Sequence, residues 1–224
     1  MVNYAVDPSA LRPLVPAGTE LDAWRGTTYA SLVAFSFLRT RVRGVRIPFH
    51  EDFEEINLRF YVRRRDGTEW KRGVVFVKEI VPKPAIALVA RLLYNERYVA
   101  LPTRHTLSHG DTPRVCYEWR FRGRWNRLSA AWQGPARPMA ESSEEQFIAE
   151  HYWGYSAQRD GSTQEYRVDH PPWNVWTASA PDVDVDTVGL YGAVLARALD
   201  HEPTSIFIAD GSPVTVSSGR RIQV

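Results

Sequence analysis

The sequence predicts an α+β domain in which strands dominate, built on an antiparallel or mixed sheet. Segments with strand character are numerous, and residues 53–62 alternate between apolar and polar side chains with a period of two. Helical segments are few and do not alternate regularly with strands, which argues against parallel βαβ units. Closure of so many strands into a barrel or a sandwich removes exposed edges. The 224 residues fit one undivided domain over residues 1–224.

Capping and turn residues place the elements in order. Asp7 is positioned to cap a short helix with Pro8 at its first position, and residues 26–38 are typical of a buried strand. Residues 53–62 and 73–81 form a predicted hairpin across Asp66-Gly67. The later predicted elements are an amphipathic helix from Ala85 to Asn95, strands over 97–103, 114–122, 126–133 and 163–169, a helix capped by Ser142 with Glu145 that reaches Tyr152, a helix from Asp186 to Ala198, and a strand pair of Ser205 to Ala209 with Val214 to Ser217.

Composition and motifs exclude several classes of function. The net charge is only +2, Arg120 and Arg122 alternate with apolar residues as on a solvated strand face, and we expect no nucleic acid partner. No apolar run approaches the length that a membrane span needs, and the start shows no secretory signal. With Cys116 as the single cysteine, we expect no disulfide and a cytoplasmic location. Histidine spacing indicates no metal site, and no nucleotide-binding loop or hydrolase elbow is present, so we expect no cofactor.

The second face of the strand over 53–62 carries the candidate site. Ile56, Leu58, Phe60 and Val62 point one way, so Glu55, Asn57, Arg59 and Tyr61 point the other way. An acid, an amide, a guanidinium and a phenol on one face are able to line a polar pocket. The same residues also suit a solvated face with cross-strand pairs, and the residues themselves leave both alternatives open.

Lys78 and Glu79 extend the candidate ligand-binding residues onto the second strand. Lys78 is a lone ammonium in the apolar run from Val74 to Val81, where burial would lower its pKa toward reactivity. Adjacent residues of a regular strand face opposite sides, so only one of the pair points into a cavity. A solvent-facing lysine on an amphipathic strand is the alternative for Lys78.

Several short motifs follow one another along the chain: Val15-Pro16-x-Gly18-x-x-Leu21-Asp22 followed by Gly26, Phe53-x-Glu55-x-Asn57-Leu58-Arg59-x-Tyr61-Val62, Gly73-Val74-Val75-Phe76, Glu79-Ile80-Val81-Pro82, Ala90-Arg91, Tyr94-Asn95-Glu96-x-Tyr98, and Asp210-Gly211-Ser212-Pro213-Val214. In this order they resemble the YqjF-like family of uncharacterised bacterial proteins, a branch of the acetoacetate decarboxylase-like superfamily. The resemblance covers residues 4–222. Members often begin with a further segment that contains a Trp, so we expect the start to be shortened.

The resemblance implies a closed, cone-like β-barrel with peripheral helices and an internal cavity for a small molecule. Acetoacetate decarboxylase uses a lysine whose pKa is lowered by a neighbouring cation, so that its amine forms a Schiff base with a keto group. Glu55 resembles the glutamate in the cavity of that enzyme. The lysine does not carry over, because residues 92–98 contain none.

The leading hypothesis is a protein that binds a small organic acid or keto compound in this cavity and acts as a lyase-like or acid/base enzyme. Arg59 would clamp a carboxylate and Glu55 would accept or deliver a proton, while Asn57 and Tyr61 fix the orientation of the ligand. The alternative is a non-catalytic ligand-binding or interaction module in which the same residues form a satisfied network. An enclosed void beside Glu55 would favour the ligand, whereas a filled interior would favour the structural network. The sequence is also compatible with a homo-oligomer.

We predict that no Schiff-base lysine operates in this protein. The chain has three lysines, and both Lys71, beside a turn, and Lys83, between two prolines, are expected at the surface. Incubation with keto acids and borohydride should therefore give no reduced adduct by mass spectrometry. An adduct on Lys78 would overturn this prediction and favour a decarboxylase.

Overall fold

The computed structural model describes residues 1–42, 45–46, 51–88 and 97–222. The helices are α1 (Pro8–Leu11), continued by a 3₁₀ turn (Arg12–Leu14), α2 (residues 84–88), α3 (Glu144–Ala149), α4 (Thr187–Tyr191) and α5 (Ala193–Ala198). The strands are β1 (Val2–Ala5), β2 (Glu20–Leu21), β3 (Tyr29–Phe37), β4 (Arg41–Val42), β5 (Val45–Arg46), β6 (Phe53–Asp66), β7 (Glu69–Val81), β8 (Tyr98–Ala100), β9 (Thr103–Ser108), β10 (Arg114–Phe121), β11 (Arg124–Trp132), β12 (Arg137–Pro138), β13 (Trp153–Ala157), β14 (Thr163–Asp169), β15 (Asn174–Asp184), β16 (Ser205–Ala209), β17 (Thr215–Val216) and β18 (Arg220–Ile222). The protein is therefore mainly β with few helices.

One large sheet joins almost all of the described strands. Its hydrogen-bonded order is β17-β14-β13-β7-β6-β3-β1-β16-β15-β11-β10-β9, with β2, β8, β12 and β18 attached beside this path. Neighbouring strands are antiparallel except where β7 pairs in parallel with β13 and β8. The long strand β6 lies near the middle, between β3 and β7. A mixed sheet of this kind confirms the predicted α+β class.

The β6–β7 hairpin is the predicted hairpin, and it is longer than the sequence pattern indicates. The pairing continues from Ile56 opposite Ile80 to Asp66 opposite Glu69, beside a turn in which Gly67 has a φ of 62°. Glycine adopts this left-handed conformation without the steric penalty of a Cβ atom. The Asp-Gly pair therefore predicted the position of the turn correctly.

Both faces of β6 are buried. Ile56, Leu58, Phe60 and Val62 are each 0% exposed, and they pack in the main core together with residues of α1, α4 and α5. On the opposite face Tyr61 packs in a second cluster with Phe147 and Ile148 of α3. The strand therefore lies between two packed layers, and its polar residues are enclosed by protein.

The sheet differs from the expected closed barrel. Among the described residues the pairing follows an open path that ends at β9, whose outer edge has no strand partner. Pro102 has no N–H for a ladder, so the strand predicted over 97–103 divides into β8, which pairs with β7, and β9, which pairs with β10. Side chains join β9 to β6 instead, because Glu54 accepts hydrogen bonds from Thr103 and His105, each at 2.7 Å.

Two predicted helices differ in their boundaries. The helix after Asp186 is interrupted at Gly192, where φ is 83° and ψ is 163°, and it forms α4 and α5 rather than one helix to Ala198. The cap of α3 is Ser143, one residue beyond the predicted Ser142, because the Ser143 hydroxyl accepts from the Gln146 amide. Within the helix predicted from Ala85 to Asn95, the residues up to 88 are helical, and the rest of the predicted range lies outside the described residues.

The predicted pairing at the end of the chain is wrong. Residues 205–209 form β16, which pairs with β1 and β15, whereas Thr215–Val216 pairs with β14. The Asp210-Gly211 turn is present, with Gly211 at a φ of 75°, but the segments that flank it pair with different strands. Long-range partners therefore outweigh the local hairpin signal. The sequence pattern also missed β1, β13 and β15.

We expect the apolar face of β6 to dominate stability. Leu58→Ala leaves a cavity at a fully buried position and should lower the free energy of unfolding by about 2–5 kcal/mol. Leu107→Ala is the matched control, because Leu107 on the edge strand is 49% exposed and its truncation should cost less than about 0.5 kcal/mol. Urea denaturation measures both, and equal effects would contradict the assignment of the core.

Candidate functional site

The polar face of β6 is buried, which decides between a solvated face and an enclosed one. Glu55, Asn57 and Tyr61 are 2%, 1% and 1% exposed, and Arg59 is half-buried. These four predicted residues lie on one side of the strand, as their period of two requires. A carboxyl and a guanidinium in such surroundings need partners, because burial of an unpaired charge is strongly unfavourable.

Glu55 is held at the start of this face by two hydrogen bonds. Its carboxyl oxygens accept from the Tyr98 hydroxyl at 2.9 Å and from the Asn57 amide at 3.0 Å. Burial raises the pKa of Glu55 to about 7, against the opposing effect of these hydrogen bonds and of the charge on Arg59. A carboxyl group with a pKa near neutrality is suited to accept and deliver a proton.

A bulge in β7 decides which residue of the Lys78–Glu79 pair joins Glu55. Leu58 pairs with Lys78 but Arg59 pairs with Phe76, so Val77 is the additional residue. Glu79 therefore lies opposite Asn57, on the polar face, and it is 2% exposed. Bulges of this kind redirect the side chains that follow them.

Lys78 lies on the other face of the sheet, away from the predicted site. Its ammonium donates to the carbonyl of Leu190 at the end of α4 and lies 5.9 Å from the centroid of the Tyr191 ring. Burial lowers the pKa of Lys78, and the charges of Arg122 and Arg97 lower it further. The structure thus places Glu79 beside the predicted residues but does not place Lys78 there.

Arg59 lies between α3 and the ring of Tyr61. One terminal nitrogen donates to the carbonyl of Ile148 at 3.0 Å, and the guanidinium carbon lies 5.7 Å from the centroid of the Tyr61 ring. The Nε atom of Arg59 is buried and has no hydrogen-bond partner among the described residues. The guanidinium therefore keeps an unused donor on the buried polar face.

Tyr61 begins a chain of buried hydrogen bonds whose direction is fixed. The Ser31 hydroxyl donates to the Asn3 side-chain oxygen at 2.7 Å, so Tyr61 must donate to Ser31, also at 2.7 Å. The Asn3 amide donates to Ser205 at 2.9 Å, and Ser205 donates to the Glu144 carboxylate. Because the phenol proton is used in this chain, the Tyr61 oxygen can act toward other groups only as an acceptor.

His151 and Asp22 lie beside the ring of Tyr61, and the sequence did not identify them. The Nε2 atom of His151 is 3.2 Å from Asp22, and the imidazole centroid is 4.7 Å from that of Tyr61. Asp22 also accepts from Arg72 at 2.7 Å. Burial raises the pKa of Asp22, but the hydrogen bonds from His151 and Arg72 outweigh it and lower the pKa to about 2.

Sequence reasoning missed several residues of the site, and only some of them carried a signal that could have identified them. Tyr98 and Asp22 stand inside motifs that carried the family resemblance, so their membership of those motifs was a usable signal. His151 stands in no such motif, and it is 129 positions from Asp22 in the sequence. Its position depends on α3, which delivers it to the polar face of β6.

Two of the surface clefts formed by the described residues bear on the position of the site. One of about 280 Å³ lies against Arg72 and Phe147, beside the Asp22–His151 pair. The other, of about 440 Å³, includes Arg167 of β14 and His170, which follows that strand. Glu55 lines neither cleft. Within the described part of the chain, no helix is long and apolar enough to cross a membrane, and no group of three acidic, histidine or cysteine side chains is arranged to hold a metal ion.

Solved structures of the acetoacetate decarboxylase type share this fold. The acetoacetate decarboxylase of Legionella pneumophila matches with a TM-score of 0.66 and 11% identity, over 99% of this chain and 83% of that one. The enduracididine biosynthesis enzyme MppR, in a structure described as complexed with pyruvate, matches with a TM-score of 0.64 and 13% identity, over 98% and 86% of the two chains. The fold is therefore acetoacetate decarboxylase-like.

The chain belongs to the DUF2071 family of uncharacterized conserved proteins, whose family model matches residues 1–213. The uncharacterized protein YqjF of Bacillus subtilis (strain 168) is 28% identical over 193 residues, which are 83% of this chain and 75% of that protein. The resemblance to the YqjF-like family, predicted from the order of the motifs, is confirmed by these matches, and the solved structures share the acetoacetate decarboxylase-like fold that the resemblance implies.

The raised pKa of Glu55 predicts a specific dependence of stability on pH. Between pH 4.5 and about 7 the folded protein keeps a proton that the unfolded chain has lost, so this group's contribution to stability falls as pH rises. Glu55→Gln removes this pH-dependent loss. Relative to the native protein, the free energy of unfolding of the variant should therefore rise by up to roughly 3 kcal/mol between pH 4 and pH 8.

Glu54→Gln is the matched control with the opposite sign. Burial raises the pKa of Glu54, but hydrogen bonds from Thr103 and His105 outweigh it, so the pKa is lowered. Because a lowered pKa gives stability that is complete above the unfolded value of 4.5, this variant should lose stability relative to the native protein as pH rises toward 4.5 and keep a constant difference from pH 6 to pH 8. Urea unfolding at pH 4, 6 and 8 measures both differences, and a Glu55→Gln variant with the same pH profile as the native protein would show that Glu55 is ordinarily ionised.

Proposed function

We propose that this protein binds a small organic acid or keto compound at the polar face of β6 and performs acid/base or lyase-like chemistry there without a Schiff-base lysine. Arg59 binds the carboxylate of the ligand, and Glu55 exchanges a proton with it. Asn57, Tyr61 and Glu79 fix the orientation of the ligand. The proposed partner is thus a small molecule.

The observation that carries this proposal is the unused Nε donor of Arg59. Buried polar groups in folded proteins are almost always hydrogen-bonded, and a charged donor without a partner needs an explanation. A carboxylate supplies two acceptor oxygens in the plane that a guanidinium prefers. An anionic ligand at Arg59 would therefore complete the pairing that the described side chains leave incomplete.

The pKa of Glu55 supports an acid/base role for that residue. A group with a pKa of about 7 is present in both protonation states near neutral pH, so it is able to transfer a proton in either direction. Similarity of fold adds support, since one similar structure is described as a complex with pyruvate and another as an acetoacetate decarboxylase. Neither similarity defines the reaction, because folds of this type carry different chemistry on different sites.

A second candidate function is a non-catalytic ligand-binding or interaction module. The observation that favours it is the chain from Tyr61 through Ser31, Asn3 and Ser205 to Glu144, in which the polar groups satisfy one another. Complete internal pairing is what a purely structural network requires. In this alternative the polar face of β6 rigidifies the sheet and transfers no proton.

Arg59→Met tests the proposed function, with pyruvate as the ligand in titration calorimetry. Methionine keeps much of the side-chain volume but removes the charge and its donors, so binding should weaken by about 10- to 100-fold while the melting temperature shows a folded protein. Arg65→Met is the matched control, because Arg65 is exposed on the same strand, and it should leave affinity unchanged. Equal affinity in both variants would contradict the proposal, as would a native protein that binds neither pyruvate nor any other short carboxylic acid.

A further inference from the structure

His151 is a buried imidazole that the proposed function does not use. Its side chain is 1% exposed and is held between the rings of Tyr61 and Phe147, with centroid separations of 4.7 Å and 5.0 Å. Its Nε2 atom has the Asp22 carboxylate as its partner. The Nδ1 atom is buried and has no hydrogen-bond partner among the described residues.

The partner of Nε2 fixes the chemical character of Nδ1. Asp22 also accepts from Arg72, and an ionised carboxylate can only accept, so Nε2 of His151 carries the proton. Burial lowers the pKa of His151 to about 4, and the nearby charges of Arg72 and Arg59 act in the same direction against the opposing effect of Asp22. The imidazole is therefore neutral near pH 7, and Nδ1 presents a lone pair.

His151 and Arg59 are both neighbours of the same aromatic ring. The guanidinium of Arg59 is 5.7 Å and the imidazole of His151 is 4.7 Å from the centroid of Tyr61. The Tyr61 oxygen also acts only as an acceptor toward a further group, because its proton is donated to Ser31. The same region thus offers one cationic donor and two neutral acceptors.

We infer that the ligand of this site is a short hydroxy carboxylic acid, whose carboxylate pairs with Arg59 and whose hydroxyl donates to Nδ1 of His151 or to the oxygen of Tyr61. This inference rests on the proposed function, because it needs the carboxylate to be bound at Arg59. It adds His151 to the site, and it gives His151 and Tyr61 the role of determining specificity.

A hydroxyl group fits these acceptors better than a keto group or an ammonium group. A keto oxygen has no proton, so it would face two lone pairs and leave both acceptors unsatisfied. An ammonium group has protons but also a positive charge, which the guanidinium groups of Arg59 and Arg72 would repel, and the Asp22 carboxylate that opposes them is already paired with Arg72. The neutral hydroxyl donor meets both conditions.

Matched ligands that differ in one substituent test this inference. The first set is lactate, pyruvate and propionate, and the second is 3-hydroxybutyrate, acetoacetate and butyrate. In titration calorimetry of the full chain, the hydroxy acid of at least one set should bind about tenfold more tightly than its keto and unsubstituted counterparts. This comparison uses the native protein and does not depend on the folding of any variant.

Variants then assign the preference to residues. His151→Phe keeps the ring between Tyr61 and Phe147, and it should bring the ratio of hydroxy to keto affinity to about one. Tyr61→Phe removes only the phenol oxygen and should lower the ratio about threefold. The controls are His170→Phe and Tyr117→Phe, which carry the same substitutions away from this site and should keep the native ratio.

The outcomes separate this inference from the proposed function. Equal or tighter binding of the keto acids, lost in Arg59→Met, would overturn the hydroxy acid inference and leave the proposed function standing. Binding that is indifferent to Arg59→Met, or no binding of any of the six acids, would overturn both. A hydroxy preference that survives both His151→Phe and Tyr61→Phe would also contradict the inference, because these residues are its basis.

Discussion

The burial of both faces of β6 is the constraint on which the rest of the structure depends. Its apolar face forms the main core with the helices α1, α4 and α5, and this packing fixes the strand in place. The opposite face is then enclosed by α3 and the second cluster, although it carries a carboxyl, an amide, a guanidinium and a phenol. Polar groups in such surroundings are either paired or strongly destabilising, so each contact on this face has an energetic reason.

The bulge in β7 shows how a small departure from regular geometry determines the chemistry of the site. On a regular strand, Lys78 would share a face with Val74 and Phe76, beside Tyr61 and Arg59. The additional residue at Val77 reverses this alternation and places Glu79 there instead. A cation is thereby removed from the polar face and a second carboxyl is added near Glu55. The strand alternation in the sequence does not reveal such a change, because a bulge depends on the partner strand.

Local signals predicted the parts of this protein that depend on neighbouring residues. The hairpin across Asp66-Gly67, the cap at Asp7 and the common face of Glu55, Asn57, Arg59 and Tyr61 all follow from turn chemistry or a period of two. The pairing of β16 with β1 and β15, and the contact of His151 with Asp22, depend on residues far apart in the chain. No periodicity contains that information, which is why the closed barrel and the terminal hairpin were expected and not found.

Hydrogen bonding on the polar face of β6 is complete in one part and incomplete in another, and this difference bears on the role of that face. From Tyr61 to Glu144 each described donor has an acceptor, so a structural network accounts for that part completely. At Arg59 and His151, a donor and an acceptor are buried without partners in the described part of the chain, although both side chains are held by rings and carbonyls. A network that served only stability would gain by pairing or removing such groups. In the proposed function a bound molecule would supply these missing partners, and the carboxyl of Glu55, with its pKa of about 7, would exchange the proton.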